Sequence, residues 1–131
     1  MDTDAFTASM PLTQTLGIEL LDATKDEVRM RMPWRTEICT SNGIVHGGSL
    51  MALADSCGAA CAVMNLPEGA FTTTIESKTN FLRAVREGSV TAVSRPLHSG
   101  RTVIVVQTDL LDDSGRRVAQ TTQTQAVLQG K

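Results

Sequence analysis

Between Phe71 and Phe81 the chain alternates with a period of two: Phe71, Thr73, Ile75, Ser77, Thr79 and Phe81 fall on one side, with Glu76, Lys78 and Asn80 on the other. That is the repeat of a β-strand, so the stretch predicts one long strand. Three more strand-like segments follow, SVTAVSRPL, RTVIVVQTDLL and RRVAQTTQTQAVL, separated by the turn formers His98-Ser99-Gly100 and Asp112-Asp113-Ser114-Gly115. The C-terminal half therefore reads as an antiparallel meander. Upstream, GIELLDA and EVRMRMPW flank Thr24-Lys25-Asp26, and Val28, Met30 and Met32 alternate with Arg29 and Arg31, which predicts a hairpin.

Between hairpin and long strand the period lengthens. Leu50, Leu53, Ala54, Cys57, Cys61 and Met64 recur at helical spacing, with Gly48 or Ser49 near the N-cap and Pro67, followed by Gly69, as the stop. Pro33 to Asn42 reads as a loop, and residues 1 to about 16 as an N-terminal segment compatible with a helix. With no internal repeat, low-complexity tract or linker, residues 1–131 read as one domain. The order of hairpin, helix and four strands predicts an α+β fold, a long central helix wrapped by a curved antiparallel β-sheet.

The bulk numbers narrow the functions. A content of 41% hydrophobic and 20% charged residues suits a soluble globular chain, and a net charge of −2 provides no bulk positive field for nucleic acid or an anionic membrane surface. Aromatics make up 3%, which removes the stacking platform of single-strand binders. Cys39, Cys57 and Cys61 are odd in number and form no Cys-x-x-Cys, and His46 and His98 supply no metal-ligand spacing, so no metal and a reducing compartment are expected. The start, MDTDAFTASMPL, is acidic and lacks the basic-then-apolar order of a signal peptide, which points to the cytoplasm. Residues 50–66 approach the roughly 20 apolar residues that cross a bilayer. Asp55 at mid-span, the weak hydrophobic drive of Gly, Ala and Ser, and the lack of Lys or Arg between Arg35 and Lys78 argue for a buried helix of a soluble fold instead.

Asp55 is the one formal charge between Gly43 and Leu66. An unpaired carboxylate in such a helix costs several kcal/mol, so it must be paired or used. Gly48, Ala52, Asp55, Ala59 and Ala62 share a face of small residues that permits close approach. At the helix start, Gly47 and Gly48 offer backbone N–H groups and the positive end of the helix dipole to a developing oxyanion. A carboxylate and such donors suffice for acyl transfer. Gly47 and Asp55 are eight residues apart, about 12 Å along a helix, too far for one carbonyl carbon to meet both. If both act on one substrate, the glycine of one chain meets the aspartate of another, which implies a dimer with antiparallel central helices and composite sites. The alternatives at this stage are a structural Asp55 tied to backbone N–H groups, a structural His46, an exposed His98, and Cys57 and Cys61 as core fillers.

His46-Gly47-Gly48 followed by Leu53-Ala54-Asp55, with the acid nine residues after the histidine, resembles the hotdog-fold acyl-CoA thioesterases of the phenylacetic-acid-degradation (PaaI) type. Gly43, TTTIESKTNFLRAVREG and SGRTVIVVQTDLLDDSGRRVAQTTQT extend the likeness over roughly residues 12–128. The resemblance implies a hotdog fold, homodimers with a continuous sheet that often pair into tetramers, and hydrolysis of acyl-CoA, aromatic acyl groups included, without metal or cofactor. It implies Gly47 as oxyanion donor, Asp55 as nucleophile or general base, a Thr73 hydroxyl beside the attacking water, and His46 holding the loop. Gly48, Arg83 and Arg101 would contact the CoA of the substrate. Many members have asparagine six residues before the histidine. Here Thr40 stands there, so either Asn42 replaces it through a different loop path or the contact is absent. Two alternatives remain open: a non-catalytic acyl-CoA-binding module, and an enoyl-thioester hydratase, whose Asp-x-x-x-x-His is missing.

Overall fold

A computed structural model describes residues 3–130. Two short helices, α1 (Thr3–Ser9) and α2 (Pro11–Thr15), precede the hairpin of β1 (Glu19–Ala23) and β2 (Val28–Pro33), and the long helix α3 (Gly47–Met64) follows. Then come β3 (Ala70–Phe81), β4 (Ser89–Ser99), β5 (Val103–Leu111) and β6 (Arg117–Gln129). All pairings are antiparallel, in the spatial order β1-β2-β4-β5-β6-β3. This is the expected α+β hotdog architecture, with α3 packed against the curved sheet. The loop from Pro33 to Asn42 carries two 3-10 turns, and β4 runs on through His98 and Ser99.

Alternation builds the core. Val28, Met30 and Met32 of β2 are fully buried while Arg29 and Arg31 are exposed, and Ile104, Val106 and Leu110 of β5 join them beneath α3. From α3, Leu50, Leu53, Ala54, Cys57 and Cys61 fill the facing space. By length and composition α3 could cross a bilayer, but half of it is buried inside this fold. Burial pushes the Cys57 thiol up to about 12 and Cys61 up to about 11, so both are inert core side chains.

One strand departs from the simple alternation. The pairing of β3 with β6 shifts between Thr74 and Glu76, making Ile75 an extra residue in a β-bulge. Thr72 and Thr74 therefore lie half-buried on the helix side together with Ser77 and Thr79, whereas Phe71, Thr73 and Ile75 are exposed on the other side. A single face shared by all the odd positions from Phe71 to Phe81 is thus corrected: a bulge reverses the side of every residue before it.

Candidate active site

The helix start is organised by His46. It is the N-cap of α3, with Gly48 and Ser49 in the first turn beside it, and its Nδ1 accepts the Gly48 N–H at 2.7 Å. A side-chain acceptor at this position satisfies one of the orphan donors of the first turn. The His46 N–H donates to the Ile38 carbonyl at 2.9 Å and Ser49 Oγ donates to the same oxygen at 3.0 Å, fixing the loop to the helix. A side chain at Gly48 would place Cβ 2.9 Å from His46 Nδ1, so glycine makes room for the cap. Gly48 is thereby corrected as an oxyanion donor, since His46 consumes its N–H. The Gly47 N–H finds no acceptor among the described residues. A cleft of about 360 Å³ opens there, lined by Gly47, Thr40, Leu50, Phe81, Leu82 and Arg83 among others. A larger cleft of about 490 Å³, at Arg86 to Gly88 and Asp112 to Ser114, holds none of the candidate residues.

Asn42 has φ of 66°, a left-handed conformation that asparagine tolerates better than most residues, within the turn Ser41–Gly43. It is exposed and does not line the Gly47 cleft, whereas Thr40 does. Asn42 thus sits outside the Gly47 cleft of its own chain, where its backbone shapes the turn, and Thr40 stands beside the helix start.

Asp55, half-buried on α3, is held by side chains from the sheet. Its Oδ1 accepts from Thr74 Oγ1 at 2.8 Å and from Gln123 Nε2 at 3.1 Å. Oδ2 accepts no hydrogen bond among the described residues. Gln123 is fully buried and reaches the acid because residue 58 is glycine, where a Cβ would lie 2.1 Å from Gln123 Oε1. Gln125 and Thr72 continue the network along β6 and β3. The anchor of Asp55 is thus side-chain hydroxyl and amide, not backbone N–H.

Thr73 is corrected: it is exposed on the far side of β3, and the bulge at Ile75 presents Thr74 to the acid instead. Arg83 lies at the Gly47 cleft, but Arg101 lies in the β4–β5 turn at the opposite end of the sheet. Arg83 N–H bonds Val118 of β6 while Val127 near the other end bonds Thr102, a span of roughly 30 Å at 3.3 Å per residue. One chain cannot bring the two arginines to one phosphate group. Thr74, Gln123 and Gln125 were missed from sequence. A signal was present in the polar residues at alternate positions of β6, Thr121, Gln123 and Gln125, all of which prove buried.

A long helix wrapped by a curved six-stranded antiparallel sheet is the hotdog architecture. The chain belongs to the thioesterase superfamily, whose family model matches residues 42–119, and it is a thioester hydrolase. It is 31% identical over 117 residues to the proofreading thioesterase EntH of Cronobacter turicensis, covering 89% of this chain and 85% of that one. A thioesterase structure from Haemophilus influenzae superposes with a TM-score of 0.92 at 27% identity, over 98% of this chain and 92% of that one. A mutant thioesterase from Pseudomonas aeruginosa gives 0.91 at 29% identity, over 98% and 94%.

Proposed function

We propose that the protein hydrolyses acyl-CoA thioesters, aromatic acyl groups among them, at composite sites formed by two chains. The observation that carries this reading is the layout of α3: the free Gly47 N–H and the carboxylate of Asp55 are about 12 Å apart along one helix. One thioester reaches both when the second group comes from an antiparallel neighbour. The edge of β3, unpaired within the described residues and bearing exposed Phe71 and Ile75, supports a second copy docking there to extend the sheet. Two such dimers would form the tetramer, and free Cys39, Cys57 and Cys61 suit a cytoplasmic location.

Asp55 acts as the base through Oδ2, the oxygen without a partner. It takes a proton from water as the water oxygen bonds to the carbonyl carbon, and the carbonyl π pair moves onto oxygen beside the partner subunit's Gly47 N–H. When that pair returns, the C–S bond breaks and the CoA thiolate leaves with the proton from Asp55. Arg83, which lines the cleft, supplies positive charge for CoA phosphate, and Leu50, Phe81 and Leu82 supply apolar lining for the acyl group. The test is thiol release from acetyl-, hexanoyl-, palmitoyl-, benzoyl- and phenylacetyl-CoA. Hydrolysis of at least one, fastest with an aromatic acyl group, is expected; no thiol from any of them overturns the reading. Labelled oxygen from water entering Asp55 in a single turnover would replace the base by a nucleophile that forms an anhydride.

A further inference from the structure

The hydrogens around Asp55 can be counted. Thr72 Oγ1 donates its one hydrogen to the Ala126 carbonyl at 2.7 Å. The end of Gln125 that lies 3.1 Å from Thr72 Oγ1 must then be its nitrogen, which turns Gln125 Oε1 toward Thr74 at 2.6 Å and Gln123 at 3.0 Å. Because that oxygen can only accept, the Gln123 end facing it is also nitrogen. Its two hydrogens serve Gln125 Oε1 and, at 3.1 Å, Asp55 Oδ1. Both amide orientations thus follow from one carbonyl on β6.

Thr74 is left between two acceptors, Gln125 Oε1 at 2.6 Å and Asp55 Oδ1 at 2.8 Å, with one hydrogen to give. When Asp55 is a carboxylate, the charge-assisted bond is the stronger and the hydroxyl turns to it. The Thr74–Gln125 contact then lacks a hydrogen. When Oδ1 carries a proton, it donates to Thr74, Thr74 donates to Gln125, and every close contact is bridged. The cluster therefore has a place for one proton more than the ionised state holds.

We propose that Thr74 is a positioning residue whose hydroxyl turns from Asp55 toward Gln125 as the carboxylate becomes a carboxylic acid, so that Asp55 can hold the proton it takes from water. This rests on the role of Asp55 as base given above. A half-turn about Cβ–Cγ brings a proton accepted at Oδ2 to the Thr74 side, and the reverse turn returns it for the leaving thiolate. No bond other than the acid O–H is made or broken in the network itself.

Neutron diffraction from crystals of the deuterated protein reads the hydroxyl directly. Two pairings are expected: Oδ1 bare with the Thr74 deuteron toward Asp55, or Oδ1 deuterated with the Thr74 deuteron toward Gln125. Either mixed pairing, or an amide turned the other way, overturns the proposal. Kinetics on the acyl-CoA that the protein cleaves fastest gives a second measure. Thr74→Ser, which keeps the hydroxyl, should hold kcat within about threefold, while Thr74→Val should lose about 10- to 100-fold in kcat with KM changed less than about twofold. Thr74→Val retaining its kcat, or Thr74→Ser falling as far as Thr74→Val, overturns it. If the unmodified protein releases no thiol, the acyl-CoA reading fails, and the deuteron positions still decide the role of Thr74.

Discussion

The two candidate stations on α3 are built by opposite means. Its start is local: His46, Gly47 and Gly48 are consecutive, the cap closes over two residues, and the group left without an acceptor among the described residues is the Gly47 N–H. Its middle is non-local: Asp55 is held by Thr74 from β3 and Gln123 from β6, residues 19 and 68 positions away. The first station depends on a short conformation, and the second on two strands keeping their register beneath the helix. A change in the loop should therefore disturb one station, whereas a change in the β3–β6 pairing should disturb the other.

The largest expected effect separates chemistry from scaffold. Asp55→Asn keeps an oxygen that accepts from Thr74 and Gln123 but removes the base, so kcat should fall about 10²- to 10⁴-fold while the melting temperature changes little. Comparable activity in the variant would remove Asp55 from the mechanism. Next comes Gly58→Ala, whose Cβ would meet Gln123 Oε1 at 2.1 Å, far inside contact distance. Denaturant unfolding should show a loss of about 1–3 kcal/mol from overpacking, with kcat reduced as Gln123 leaves Asp55. An unchanged unfolding midpoint would mean that Gln123 has a second resting place.

His46→Ala tests the other station. Loss of the N-cap should cost about 1 kcal/mol in denaturant unfolding and lower kcat through a displaced Gly47 N–H, without altering the surroundings of Asp55. Combined with Gly58→Ala, its stability cost should add, because the two stations share no partner. Strong non-additivity would break the division drawn here. The smallest effect is expected at Glu27, which binds Arg29 and Arg95 across β2 and β4, remote from both stations. The Arg29 hydrogen bond, chiefly, holds the Glu27 carboxyl below its ordinary 4.5. Its stabilising contribution is thus full above about 4.5 and disappears as pH falls through the lowered folded value. Thermal melts should show Glu27→Gln less stable than the parent at neutral pH and level with it at strongly acidic pH, with kcat unaffected.

The same division explains what could be read from the chain beforehand. The element order, the helix from its apolar spacing, the glycine turn and the isolated acid are all local patterns, and each is found where expected. The cap itself is His46, which the usual capping residues do not announce, because histidine caps through a ring nitrogen and needs the neighbouring glycine to make room. The Thr73 hydroxyl implied by the resemblance lies on the wrong side of β3 because neither motif spacing nor strict alternation carries information about an extra residue, which is decided by pairing with a strand some fifty positions away. The glutamines on β6 stayed hidden because a polar side chain on an inward position acquires meaning once its partner across the core is known.

The bulge at Ile75 has a consequence for solubility. A long, regular outer strand with apolar side chains is an open invitation to any extended peptide, the usual first step toward fibrils. β3 has that length and those side chains, but its extra residue twists the ladder and leaves Ile75 and Glu76 pointing outward in succession. A straight foreign strand meets a break in repeat partway along. One surplus residue thus interrupts the repeat of an edge that no strand covers among the described residues.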